Sequence, residues 1–93
     1  MSLEFSGTIF YWRGPAPFYF VAAPEGACEV LREVSKWVTY GWGMIPVGAQ
    51  IGETAWQTSL FPKAGGYLVP VKLGVRKAEG LGEGDRVRLE VGP

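Results

Sequence analysis

Hydrophobic and polar residues alternate along most of the chain, a pattern typical of β-strands that bury one face. In the first such segment, Leu3, Phe5, Ile9 and Tyr11 fall on one face. Residues 18–22 form a short continuous apolar run instead, which is typical of a strand buried on both faces. We predict strands over residues 3–13, 18–22, 44–51, 54–61, 66–71 and 86–91, with a turn at residues 62–65.

Helical spacing replaces alternation in two segments. In the first, Pro24 suits a first helical position and apolar residues follow with the spacing of one helix face. These apolar residues are Ala27, Val30, Leu31, Val34 and Val38. Residues 72–80 predict a second, shorter helix with Val75 and Ala78 inward, in which Gly74 costs about 1 kcal/mol of helix stability.

The predicted elements occur twice in the order strand, strand, helix, strand, with halves at about residues 3–51 and 54–91. Tyr19 and Val21 of the second strand match Tyr67 and Val69 of the fifth. Because the identities are few, duplication and chance both remain open. One such unit alone would expose a sheet face and open edges, whereas two related by a pseudo-twofold axis bury them together. We therefore predict a mainly β, α+β fold, a pseudo-symmetric barrel capped by two short helices and forming one domain over residues 1–93.

The composition argues against several classes of enzyme. The chain of 93 residues contains no histidine and one cysteine, Cys28. A Ser-His-Asp or Cys-His arrangement and a tetrahedral N/S zinc site are therefore excluded within one chain. No cation or second cysteine beside Cys28 indicates activation, so we interpret it as a packing residue. We expect a protein without catalytic activity, metal or cofactor.

Charge and hydropathy narrow the choice of partners and compartment. Nine basic and nine acidic residues give a formal net charge of zero, which disfavours nucleic acid because phosphates require cations. No apolar run approaches the ~20 residues of a membrane span. The first residues lack the regions of a signal peptide. We expect a cytoplasmic protein, a monomer or weak dimer, whose partner is an unknown small molecule or protein.

The candidate binding residues are aromatic and polar side chains: Trp42, Trp56, Ser59, Lys63, Tyr67, Lys72 and Arg76. Of these, Ser59, Lys63 and Lys72 are not required by a barrel core. Two interpretations of the aromatic members are open, because they can line a groove at the barrel mouth, extended by Trp12 and Trp37, or fill the core. The basic members likewise suit an anion site or a solvated helix face paired with glutamates. A Ser59–Lys72 nucleophile pair has no support from spacing.

Several motifs carry a resemblance to a known family: FSGT (5–8), FYFV (18–21), GWG (41–43), TSLFP (58–62), GGYLVPVK (65–72), VRKAEGL (75–81) and GDRV (84–87). Together they resemble a bacterial family known only as a domain of unknown function, numbered nineteen-oh-five. The resemblance covers nearly the whole chain. It implies a double-split β-barrel and neither a reaction nor a ligand. Our own expectation is a small binding or accessory module without catalysis, whose ligand meets the barrel mouth near the β-hairpin of residues 54–71.

A second resemblance concerns a shorter part of the chain. Residues 68–71, the short helix and residues 83–87 resemble the strand-helix-Gly-Asp-strand unit of AbrB-like transition regulators and antitoxins. Those proteins build this kind of barrel from two short chains and bind DNA with basic residues of their hairpins. The resemblance makes a DNA-binding regulator the alternative function, although a shared fold does not imply a shared function.

Overall fold

A computed structural model of the protein describes residues 2–13, 18–37 and 43–92. The strands are β1 (Leu3–Trp12), β2 (Phe18–Ala22), β3 (Ile45–Ile51), β4 (Thr54–Lys63), β5 (Gly66–Pro70) and β6 (Arg86–Gly92). Helix α1 (Glu25–Ser35) lies between β2 and β3, and helix α2 (Leu73–Glu79) lies between β5 and β6. The order strand, strand, helix, strand thus occurs twice, as the sequence predicts.

The strands close into a barrel in the order β1-β2-β5-β4-β3-β6, with every pair antiparallel. Closure leaves no strand of this barrel with an open edge. Exchanging β1, β2 and β3 with β4, β5 and β6 leaves the set of neighbours unchanged. The structure therefore confirms the predicted mainly β barrel with two helices, and its strand order obeys the predicted pseudo-twofold relation.

The turn of the β4–β5 hairpin is shorter than the sequence predicts. Lys63 pairs with Gly66 as the last pair of the β4–β5 hairpin, so residues 62 and 63 belong to β4 and not to the turn. Only Ala64 and Gly65 connect the strands, with φ of 51° and 82°, as in a tight two-residue hairpin turn. In the β1–β2 hairpin, the corresponding last pair is Trp12 with Phe18.

Alternate residues of all six strands fill the barrel interior. The deepest side chains include Ile9, Val47, Leu60, Val69 and Leu89, each at most 2% exposed. These are residues that alternation places on the inner face, so the predicted period is confirmed. Burial of a Val or Leu side chain contributes about 1.5–3 kcal/mol to folding, which makes the interior the main source of stability.

The helices pack on the barrel through narrower faces than the sequence predicts. Helix α1 buries Ala27, Cys28 and Leu31, whereas Val30 is 40% exposed. The buried face is thus rotated toward Cys28, whose thiol donates to the Ala23 carbonyl at 3.3 Å. Residue 38, which we predicted to end the apolar stripe, lies outside the described residues. In α2 only one residue is buried, and the predicted inward position of Ala78 is wrong, because this two-turn helix contacts the barrel along a single ridge.

Candidate functional site

A second apolar cluster lies on the outer face of the sheet formed by β1, β2, β5 and β4. Phe20 and Leu68 are each 8% exposed, yet neither belongs to the cluster of side chains that forms the barrel core. In β2 and β5 they alternate with Val21 and Val69, which point inward. Two neighbouring strands therefore bury side chains on both faces, and the outer layer must be covered by other residues of the sheet.

Aromatic rings provide this cover. The Phe20 ring is surrounded by three others, with centroid separations of 6.1 Å to Phe10, 5.9 Å to Phe18 and 5.9 Å to Phe61. The Phe20–Phe61 pair is edge-to-face, an arrangement that aromatic quadrupoles favour. Phe18 and Phe61 nevertheless remain 44% and 38% exposed. The cluster is thus a set of rings that support one another and present apolar surface to solvent.

A cleft of about 310 Å³ opens over these rings. It is lined by Trp12, Phe18, Phe20, Phe61, Pro62, Lys63 and Leu68. Apart from one lysine, these described lining residues are apolar, and none of them is acidic. The cleft combines aromatic walls with a single positive charge, which is the composition of a ligand site with one polar anchor.

Lys63 and Trp12 join the two hairpins at this cleft. The Lys63 ammonium nitrogen lies 3.9 Å from the centroid of the Trp12 ring, well within the range of a cation–π interaction. Trp12 is on β1 and Lys63 is on β4, which are separated in the barrel by β2 and β5. The contact therefore depends on the curvature of the whole four-strand sheet and cannot be deduced from either hairpin alone.

The predicted site residues are not gathered in one place. Lys63 lines the cleft, whereas Tyr67 is 7% exposed and belongs to the barrel core. Ser59 is half-buried on β4, opposite Pro46. The predicted Trp42 lies outside the described residues. Among the described members of the candidate set, Lys63 alone lines the aromatic cleft, and Trp12, the expected extension of the groove, lines it as well.

Trp56 lines a separate, smaller cleft. This cleft measures about 220 Å³ and lies beside β3 and the end of β6. The indole Nε1 of Trp56 is buried and has no hydrogen-bond partner among the residues that the structure describes. The residue as a whole is half-buried and packs against the core. Trp56 is thus mainly a packing residue.

Two of the three basic residues around α2 make contacts within the protein itself. Lys72 Nζ donates to the Gln57 carbonyl at 2.8 Å. Arg76 lies 3.7 Å from the centroid of the Tyr19 ring and donates through Nε to the Val71 carbonyl at 3.3 Å. These nitrogens therefore attach α2 to the neighbouring strands and are partly occupied in that role.

Among the described residues, the pKa of Arg88 on β6 is perturbed. Glu4 raises the pKa of Arg88 above its usual value, first through a hydrogen bond and then through its charge. Arg88 donates through Nε to Glu4 at 3.0 Å, and both side chains are exposed. Because arginine is charged at every accessible pH, the raised pKa of Arg88 does not change its charge.

The aromatic residues of the cleft had a signal in the sequence. On β1, the polar outer face of Glu4, Ser6 and Thr8 continues as Phe10 and Trp12. On β4, Gln57 and Ser59 are likewise followed on the same face by an aromatic residue, Phe61. In both hairpins a polar face therefore becomes aromatic before the turn, which alternation alone does not require.

No group of three or more His, Cys, Asp or Glu side chains among the described residues is arranged to hold a metal ion. Within the same part of the chain, no helix has the length and hydropathy needed to cross a bilayer.

The fold and the cleft together define a small six-stranded antiparallel barrel domain with two helices and an aromatic surface site. The chain belongs to the family described as a domain of unknown function, DUF1905, whose model matches residues 5–91. This match confirms the family resemblance seen in the sequence. No curated protein matches the chain.

Proposed function

We propose that this domain is a non-catalytic binding module whose ligand occupies the aromatic cleft. The observation that carries the proposal is the pair of exposed rings, Phe18 and Phe61, beside a cleft of about 310 Å³. That volume lies at the lower end of the range of small-molecule sites, roughly 300–1,000 Å³. A ligand that covers these rings would remove their apolar surface from water, a gain of about 25 cal/mol per Å².

The way the rings are held also supports binding. Phe20 is buried beneath the cleft and contacts both Phe18 and Phe61. These rings stand on paired strands, so their backbone positions are fixed by the sheet. A site arranged in advance loses little conformational entropy when a ligand arrives, and affinity improves accordingly.

We propose no catalysed reaction at this site. The chain has no histidine to act as a general base. Its cysteine is buried, with the thiol directed to the Ala23 carbonyl, and does not line the cleft. We further propose that the domain acts in the bacterial cytoplasm as a monomer or weak dimer.

DNA binding is the less supported function. The densest basic cluster of the chain surrounds α2, and two of its members, Lys72 and Arg76, donate to main-chain carbonyls. The net charge of zero also provides no general attraction to phosphates. An electrophoretic mobility shift with duplex DNA at low salt would favour DNA binding over the proposal.

The proposal can be tested with N-phenyl-1-naphthylamine, an uncharged dye whose fluorescence rises in apolar sites. We expect the unmodified protein to bind the dye and the Phe61→Ala variant to bind it about tenfold more weakly, which corresponds to about 1.4 kcal/mol. Leu73→Ala is the matched control, because Leu73 is 55% exposed on α2, away from the cleft.

The control should bind the dye as the unmodified protein does, and circular dichroism should show that both variants are folded. The proposal fails if the unmodified protein does not bind the dye, or if the two variants lose affinity equally.

A further inference from the structure

We infer that the cleft takes a small planar aromatic acid, whose carboxylate accepts a hydrogen bond from Lys63. The inference rests on the proposed binding function and adds the chemical class of the ligand. Three features carry it: the shape of the walls, the charge at the rim and the asymmetry between the two hairpins.

The walls of the cleft favour a flat ring. Phe20 and Phe61 meet edge to face, Phe18 is tilted by 38° relative to Phe20, and all three rings line the cleft. Aromatic side chains bind another ring well, because stacked and edge contacts add to the burial of apolar surface. A volume of about 310 Å³ accommodates one or two fused rings and leaves no room for a large ligand.

The charge at the cleft favours an anion. Lys63 is exposed and is the charged residue among the described lining residues. Its ammonium group rests on the Trp12 ring, 3.9 Å from the centroid, and cation–π contacts of exposed groups are weak. A carboxylate bonded to the ammonium would form a stronger, charge-assisted contact.

The asymmetry between the hairpins favours one ligand in one orientation. Trp12 pairs with Phe18 before the first turn, and Lys63 pairs with Gly66 at the equivalent place in the second. One hairpin thus contributes two rings where the other contributes a cation and a glycine. A ligand with an apolar end and an acidic end matches this difference, with its ring against the first hairpin and its carboxylate at the second.

The inference is tested with two probes of nearly the same shape, indole-3-acetate and indole-3-acetamide. Titrations followed by two-dimensional ¹⁵N–¹H NMR report affinity and location together. We expect the acid to bind about tenfold more tightly than the amide, the difference that a charge-assisted hydrogen bond supplies. Added salt should weaken binding of the acid and leave the amide unchanged.

Three variants locate this preference. Lys63→Met should remove the difference between acid and amide, whereas Lys63→Arg should retain it. Lys77→Met is the control, because Lys77 is exposed on α2 and does not line the cleft. The ¹⁵N–¹H spectra of the protein backbone check that each variant is folded.

The outcomes separate the inference from the proposed function. If both probes bind equally at the cleft, the binding function stands and the anionic ligand is wrong. If neither probe and no dye binds, the binding function itself fails and the inference with it. If the acid binds but shifts only resonances of α2, the site is elsewhere and the inference is overturned.

Discussion

At the scale of single residues, close approach of strands determines which positions tolerate change. Gly7 lies on β1, on the face that otherwise carries core side chains. An added Cβ would lie 2.5 Å from Val21 Cγ1 and 3.3 Å from the Ala22 carbonyl oxygen. Carbon atoms do not approach to 2.5 Å without repulsion, and the obstruction includes main chain. Gly7 therefore permits β1 to pass closely over β2.

We expect Gly7→Ala to lower the free energy of unfolding by about 1–3 kcal/mol, the usual cost of overpacking. Gly74→Ala is the matched control, since nothing lies within 4 Å of its added Cβ. Gly74 is inside α2, so alanine there should stabilise the protein by up to about 1 kcal/mol. Urea unfolding followed by circular dichroism measures both. Equal effects of the two changes would show that backbone entropy, and not the contact with Val21, decides the outcome.

The cleft was predictable only in part, for a reason that belongs to this scale. Lys63 stood out because the hairpin did not need a charge there. By alternation Trp12 and Phe61 fall on the outer faces of two separate strands, and nothing in that pattern says that these faces converge. Their meeting depends on the order β1-β2-β5-β4 and on the twist of that sheet. A local pattern assigns a residue to a face but not to a neighbour two strands away.

At the scale of elements, α2 shows how tertiary contacts maintain a helix that is weak on its own. It has seven residues, includes Gly74 and has no side-chain N-cap. Its C-terminal end is regular, because Gly80 adopts φ 66° and Leu81 donates to the Arg76 carbonyl at 2.8 Å. An isolated helix of this length would not be stable in water. Attachment to the barrel must therefore supply its stability.

One such attachment joins α2 to the start of β4. The Thr54 hydroxyl donates to Glu79 Oε2 at 2.6 Å, and both residues are half-buried. We expect Glu79→Ala to cost about 1–2 kcal/mol of unfolding free energy, as for a hydrogen bond to a charged group. The control is Lys77→Ala, at an exposed position of the same helix, which should change the free energy of unfolding by less than about 0.5 kcal/mol.

A double-mutant cycle with Thr54→Val identifies the cause. If the hydrogen bond is responsible, the two substitutions should be coupled by about 0.5–1.5 kcal/mol in urea unfolding. Strict additivity would attribute the loss to helix propensity or packing at residue 79 instead.

At the scale of the whole molecule, the two halves are interlocked. Within each half, the only two strands that pair with each other are those of the hairpin, β1–β2 in the first half and β4–β5 in the second. The third strand of the first half, β3, pairs with β4 and β6, while β6 pairs with β1 and β3. Each third strand thus has all its partners in the other half. Alternation predicted the strands, and the repeated order predicted closure, but this exchange of third strands appears only in the assembled barrel.

The interlocked pairing predicts that neither half folds alone. We expect a peptide of residues 1–52 at low micromolar concentration to lack the barrel, since β3 would have no partner and the inner face of its hairpin would be exposed. Mixing it with residues 53–93 should restore the fold, because the cut falls in the short turn between β3 and β4. Circular dichroism and analytical ultracentrifugation check the two expectations.

A self-association of the first peptide that produces a folded dimer would agree with the pseudo-twofold relation, because a second copy would supply equivalent strands. A folded monomer of residues 1–52 would contradict the argument, since no pairing within that half can accommodate β3.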